Sequence, residues 1–530
     1  MGVQLLDCTL RDGGYVNDWR FGKGAIISIL ERLIQARVDV IEVGFLDDRR
    51  PFDPNRTIQP NSTCFNKVLS GIDRGNSMLV GMIDYGTCAL KNISPCDECV
   101  LDGIRLIFKQ PKMREAVAFG QELMKLGYRV FLQMVSITTY SDRDMLDFVD
   151  LVNEQPFYAV SMVDTYGLLH KEELMHYFHL LERNLKPEIR IGYHSHNNFQ
   201  LAYANTCEVI KRRSKHGILV DGTLYGMGKS AGNAPLELLA MYLNENYDKE
   251  YDINQLLEAI DTNILRIYHQ KYWGYNLLYF LSAANDCHPN YIDYLLNKKT
   301  LSVKAVNEIV KGIPPELKLN YQQTCIEQLY FDYQSRMIAS ERAINELVAG
   351  RKLLLLGPGK TLITKTADIQ AYIRNEHPLV ISVNCVPKQI PFDAVFISNA
   401  KRYSLLLADF MQLKDDVSII ATSNVTAIGK PFDYVLNYAN LLDSERVIED
   451  NALTMLLNAL SDCEPETVTL AGFDGFSPKA NENYYDEEMG MSNNYQRLSD
   501  VNKAIARRIP YYKAKMELSF ITPSIYEKGG

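Results

Sequence analysis

The chain has 530 residues, 47% of them hydrophobic, and a formal net charge of −9. That length exceeds one ordinary domain, and the apolar content suits a large core rather than disorder. The negative balance argues against a nucleic acid or an anionic membrane surface as the main partner. The apolar runs are strand-sized, too short for a membrane span.

The start, Met1-Gly2-Val3-Gln4, lacks the basic-then-apolar pattern of a secretory signal. Ten scattered cysteines fit reduced thiols, so a cytoplasmic protein is expected. The Cys96-x-x-Cys99 pair lies in a polar stretch with no second pair and reads as a loop rather than a zinc site.

In chain order, strand patterns over 3–8, 38–45, 78–83, 103–108, 129–137, 159–163, 189–193 and 218–223 alternate with helical patterns. The helical patterns include 24–36, 113–126, 143–153, 171–185 and 201–213. Eight parallel strands with crossover helices predict a closed (β/α)8 TIM barrel over 1–250. Residues 251–348, helical from about Asn254 to Arg342 and rich in Tyr and Leu, predict an extension packed on the barrel and a candidate dimer surface. Strand patterns over 352–356, 379–383, 394–397, 418–422, 434–437 and 468–471 predict an open, Rossmann-like α/β domain over 349–530. The fold class is α/β throughout. The turn Gly357-Pro358-Gly359-Lys360-Thr361 fails as a P-loop, because the first glycine of that motif would fall at Leu354. Two readings stay open: a tight turn, or backbone amides that receive a phosphate. Residues 522–530 are expected to form a mobile tail.

Polar residues with chemical potential cluster just after the barrel strands. They are Arg11 and Asp12, Asp84, Lys109, Asp164 and Thr165, His194 and His196, and the loop Gly226-Met227-Gly228-Lys229-Ser230-Ala231-Gly232-Asn233. In a parallel barrel these ends share one face, where active sites sit. A His-x-His pair on a strand points both rings to one side. With Asp12 it forms a two-histidine, one-carboxylate set suited to a divalent first-row metal or Mg²⁺, with positions open to substrate. Arg11 adds a fixed cation, and metal plus arginine suits a 2-oxo acid and its enolate. Glu42, inside the second strand, needs a partner, and Arg11 is the candidate. Taken singly, an Arg-Asp pair reads as a surface ion pair and a His-x-His as part of a half-buried strand. His176 and His179 read as surface or packing residues, and Asp486-Glu487-Glu488 as solvated surface.

Arg11-Asp12 with Glu42, His194-x-His196-Asn197-Asn198 and the Gly226–Asn233 loop together resemble the DRE-TIM (HMGL-like) metallolyase superfamily, over roughly residues 3–290. The branch resembled most is that of the 4-hydroxy-2-oxovalerate aldolases. The resemblance implies one Mn²⁺ or Mg²⁺ on Asp12, His194 and His196, with Arg11 stabilising an enolate and Thr165 holding the substrate carboxylate. It also implies Asn233 as a further contact, and Tyr275 or Tyr279 from the post-barrel helices near the site. One departure stands out. Tyr15 occupies the place, four residues after the arginine, where the aldolases carry a catalytic histidine. A phenol with an ordinary pKa near 10 is a poor base. Cationic neighbours that lower it, a metal-bound water and His288 are the alternatives. The implied reaction is cleavage of a 4-hydroxy-2-oxo acid to pyruvate and an aldehyde. A Claisen-type condensation of an acyl-CoA, or a catalytically silent barrel carrying a nucleotide-binding module, are the rivals. A Schiff base on Lys109 would leave the metal triad unexplained. The last third weakly resembles Rossmann-like domains of sugar- or pterin-diphosphate proteins, which implies a nucleotide or phosphorylated ligand there. A homo-oligomer is also expected.

Overall fold

Eight parallel strands build the N-terminal half: β1 (Val3–Asp7), β2 (Val40–Leu46), β3 (Met78–Asp84), β4 (Gly103–Phe108), β5 (Arg129–Met134), β6 (Ala159–Asp164), β7 (Arg190–Ser195) and β8 (Ile218–Gly222). Each pairs with the next, and β1 pairs with both β2 and β8, which closes the barrel. A short strand, Ile58–Gln59, extends the sheet beside β2. The computed structural model describes residues 2–212, 214–297, 301–339, 344–479, 482–486, 489 and 495–527. It divides into two units, Met1–Ile292 with Lys318–Tyr321, and Asp293–Leu317 with Gln322–Gly530. The helical segment after the barrel is therefore shared between the units, and Arg342 lies outside the described residues.

Local sequence explains the outer helices. In Lys23–Gln35 the buried residues are Ile26, Ile29, Leu30 and Leu33, an i, i+3, i+4, i+7 stripe that faces the strands. Asp142–Asn153 starts at a reciprocal cap: Ser141 Oγ accepts from the Asp144 amide, and Asp144 Oδ2 accepts from the Ser141 amide.

The barrel interior is layered by the period of two. Leu6, Val40, Met78, Val80, Phe131, Ala159 and Leu219 form an apolar plug. Two residues on along their strands, Glu42, Gln133, Ser161 and Asp221 join Arg105 in a polar layer with at most 1% exposure. Arg105 donates to Glu42 Oε2 at 3.0 Å and to Gln133 Oε1 at 3.0 Å, and it pairs with Asp221. Gln133 passes the chain on to Ser161 Oγ at 3.0 Å.

The second unit holds a seven-stranded parallel sheet: β9 (Lys352–Leu356), β10 (Leu379–Val383), β11 (Ala394–Ile397), β12 (Ser418–Thr422), β13 (Tyr434–Leu436), β14 (Thr467–Ala471) and β15 (Leu518–Phe520). The order β13-β12-β11-β10-β9-β14-β15 reverses at β9. β15 escaped the sequence pattern because three residues carry too little periodicity. The expected mobile tail needs correction over its described part. The Gly472 amide donates to Thr522 Oγ1 at 2.9 Å, the Ile525 amide donates to the Asp474 carbonyl at 3.2 Å, and Tyr526 is buried. Residues 528–530 lie outside the described residues. No described helix is long and apolar enough to cross a membrane.

Arg105→Ala would leave buried Asp221 with only the His194 imidazole and buried Glu42 with only Arg11, an expected loss of about 3–5 kcal/mol. The chain's two tryptophans, Trp19 and Trp273, both belong to the first unit. Tryptophan fluorescence during denaturant unfolding therefore reads that loss in the barrel.

Candidate active site

The turn after β1 builds the site. Asp7 fixes it by accepting from the Thr9 amide at 3.0 Å and the Thr9 hydroxyl at 2.6 Å. The Arg11 and Asp12 amides then return to the Cys8 carbonyl. Asp12 thus sits five residues beyond the end of β1. Arg11 reaches Asp12 Oδ1 with Nη1 and Glu42 Oε2 with Nε, each at 2.6 Å. This is the partner anticipated for Glu42, which also receives Arg105.

Asp12, His194 and His196 come together with ligand atoms all within 4.8 Å of one another, every one buried. His194 lies in β7 and His196 just past it, with their ring centroids 5.1 Å apart. His194 Nδ1 bonds Asp221 Oδ2 at 2.9 Å, which orients the ring and leaves Nε2 for a ligand. His196 Nδ1 and Asn233 Oδ1 are buried with no hydrogen-bond partner. Asn233 Nδ2 donates to Asp12 Oδ2 at 2.6 Å. A Cβ on Gly228 would stand 2.6 Å from Asp12 Oδ2 and 2.2 Å from Asn233 Nδ2, so glycine is required for this close approach. Orphaned donor atoms around one carboxylate fit a divalent cation.

The charge states of these groups suit a cation. Burial alone would raise the Asp12 carboxyl, but Arg11 and the two histidines outweigh it and hold it well below the usual range. Burial lowers His196 to about 3, so its imidazole is neutral. Arg11 stays cationic: burial works against the charge, and Glu42 and Asp12 more than offset it.

The other anticipated residues divide. Thr165 Oγ1 accepts from the Ser136 amide at 2.7 Å at the end of β6. Asp164 is structural, accepting from the Leu168 and Leu169 amides at 2.8 and 3.2 Å, and burial pushes its carboxyl to about 7. Tyr15 packs edge-on against Trp19 and Phe45. The surrounding protein and Asp12 push its phenol up to about 12, the reverse of the lowering considered from its cationic neighbours. It therefore offers a donor rather than a base. Tyr275 is 59% exposed and packs on Phe280, away from the ligand cluster in every ring contact described. Tyr279 lies half-buried one turn further on. The His288 ring centroid lies 6.2 Å from that of Tyr166, and burial, with Lys229 and Lys109 adding to it, lowers its imidazole to about 4. His176 and His179 pair with surface carboxylates Asp142 and Glu182.

The sequence marked Lys229 only as part of the Gly226–Asn233 loop, with no role of its own. Its Nζ stands 5.6 Å from the Tyr15 ring and 6.0 Å from the Tyr166 ring, and its amide donates to Asp12 Oδ2 at 3.3 Å. A lysine between the glycines of the last barrel loop was the available signal. In the second unit, the Gly357–Thr361 turn is already satisfied: the Thr361 amide donates to Asp474 Oδ2 at 2.8 Å and its hydroxyl to Asp474 Oδ1. That carboxylate occupies the place a phosphate would need, which supports the tight-turn reading.

Residues 110–262 match the HMGL-like family. Over 265 residues the chain is 27% identical to 4-hydroxy-2-oxovalerate aldolase 2 of Salinispora arenicola, a match covering 49% of this chain and 74% of that protein. It is 22% identical over 269 residues to oxaloacetate decarboxylase of Mycobacterium tuberculosis, covering 51% of this chain and 78% of that protein. A solved hydroxymethylglutaryl-CoA lyase from Pseudomonas aeruginosa aligns with a TM-score of 0.42 at 18% identity, over 51% of this chain and 93% of that one. The fold, the donor set and the relatives define a class, the metal-dependent lyases on a parallel barrel. Within its barrel half, residues 110–262 are similar to the HMGL-like family, and the aligned relatives are 22–27% identical.

Asp221→Asn, which keeps the size but removes the charge behind His194, is expected to weaken Mn²⁺ binding by about 10–100-fold. Calorimetric titration of the metal-stripped protein measures it, with tryptophan fluorescence confirming that the barrel is folded.

Proposed function

We propose that the barrel cleaves a 4-hydroxy-2-oxo acid into pyruvate and an aldehyde. The observation that carries this reading is the buried Asp12, His194 and His196 cluster with Arg11 locked beside it. In this reading Asp12, His194 and His196 hold one Mn²⁺ or Mg²⁺, with Asn233 Oδ1 as a further contact. A bound divalent cation supplies Lewis acidity toward the oxygens of a 2-oxo acid.

The chain's own residues supply the rest. Arg11, fixed by Glu42 and Asp12, faces the oxygen that gains charge when the C3–C4 bond breaks, and costs no reorganisation at that moment. The Thr165 hydroxyl, its oxygen already anchored by Ser136, donates to the substrate carboxylate. Lys229 adds a cation on the same side. His288, neutral at pH 7, takes the proton from the 4-hydroxyl. The bond electrons pass to C3, an aldehyde leaves, and protonation at C3 gives pyruvate. Tyr15 contributes its hydroxyl as a donor and its ring as a wall. Self-association and a nucleotide or phosphorylated ligand on the second unit remain part of this proposal.

A second reading draws on the decarboxylase relative. Loss of CO₂ from a 4-carboxylate needs no base at a 4-hydroxyl, and Tyr15 with its raised pKa removes the expected base. Both readings share the enolate of pyruvate and differ in the leaving group.

Two measurements test the pair. Exchange of pyruvate methyl protons with D₂O, followed by NMR, is expected to depend on added Mn²⁺ and to vanish in Asp12→Asn. Arg11→Lys is expected to slow it by about 10²–10³-fold. Absence of exchange in the metal-loaded wild type would reject both readings. His288→Asn is expected to slow aldol cleavage by about 10²–10⁴-fold and to spare decarboxylation of oxaloacetate. Pyruvate release from each substrate separates the two.

A further inference from the structure

The second unit carries a cavity of about 690 Å³ at the carboxyl ends of its parallel strands, within the roughly 300–1,000 Å³ of small-molecule sites. It opens where the strand order reverses at β9, the position at which open α/β sheets receive ligands. Pro358 and Gly359 follow β9, Asn384 follows β10, Ser398 and Asn399 follow β11, and Gly472 to Asp474 follow β14.

Arg402 lines this cavity from the short helix after β11 and is only 6% exposed. Its guanidinium lies 5.3 Å from the Tyr484 ring, but Nη1 is buried without a hydrogen-bond partner. Among the described residues no carboxylate pairs with it. The two acids on the cavity wall do not serve: Asp474 is held by Thr361, and Asp450 is exposed at the rim. A buried, unpaired guanidinium is costly, and native structures avoid it unless a ligand completes the pair. Its planar fork matches a carboxylate or a phosphate.

Nearby amides add donors. Asn384 Oδ1 accepts from the Ser398 amide, and Asn399 Oδ1 accepts from the Lys401 and Arg402 amides. Those bonds use the oxygens, and among the described residues neither NH₂ group has an acceptor. Lys401 stands exposed at the rim. The Gly357–Thr361 turn, by contrast, carries its own anion in Asp474.

We propose that this cavity is a second small-molecule site, in which Arg402, with Asn384 and Asn399, binds the phosphate or carboxylate group of a metabolite. The site lies wholly within the second unit and is independent of the reaction assigned to the barrel.

Calorimetry on the full chain tests it, with probes sharing one body: glucose 1-phosphate, glucuronate and neutral glucose, together with AMP against adenosine. Glucuronate has no 2-oxo group for the barrel site. At least one anionic probe is expected to bind, and its neutral counterpart about 10–100-fold more weakly. Arg402→Gln should lose that same factor and keep the Mn²⁺ affinity of the barrel. Preference for the phosphate or the glucuronate probe identifies the anion. Asn384 has φ +53°, so Asn384→Gly removes a donor while retaining the backbone, and it carries the test if Arg402→Gln does not fold. Failure of every anionic probe to bind, equal binding by the neutral probes, or unchanged affinity in a folded variant would overturn the proposal.

Discussion

Arg105, with no exposure at the centre of the barrel, is the charge on which the active face depends. One arm meets Glu42, and Glu42 holds Arg11 beside the candidate ligand Asp12. The other arm meets Asp221, which orients His194. Two carboxylates in this interior would be untenable without a cation between them. With it, the barrel floor becomes a rigid electrostatic frame, and the upper residues inherit their positions from it. The arrangement favours specificity of position over raw stability, since a wholly apolar layer would satisfy packing equally well.

The same frame sets the ionisation of the site. Arg11 sits between two carboxylates, remains a cation and holds Asp12 as an anion. His196, crowded by protein and cations, remains neutral. Asp12 as an anion and His196 as a neutral imidazole are the forms that ligate a cation. Tyr15 answers to the same field with the opposite outcome: crowding and Asp12 together disfavour a phenolate. His288, lowered by burial with Lys229 and Lys109 contributing, is a second neutral imidazole in addition to His196.

The second unit shows how one helix start can be closed by its own chain. Asp474, at the end of β14, seats itself on the Thr361 amide and hydroxyl. The unsatisfied charge lies instead one strand connection away, at Arg402. The glycine turn drew attention in the sequence and Arg402 did not, because only burial marks Arg402 as the unpaired cation.

Much was legible from the order of residues alone. Strand and helix periods yielded the barrel and the open sheet, because alternation of apolar residues is a local property. The short spacings Arg11-Asp12 and His194-x-His196 were equally legible, since neighbours on one turn or one strand share a face. Arg105 was not, because an arginine amid Ile104 and Leu106 has meaning only when Glu42 and Asp221, 63 and 116 residues away, close around it. The exposure of Tyr275, the nearness of Lys229 and His288 and the packing of 522–527 were likewise decided by tertiary structure. Sequence by itself determined which elements form and which residues stand at their ends. Burial and long-range pairing, which set charge, basicity and free valence, were decided only by the fold.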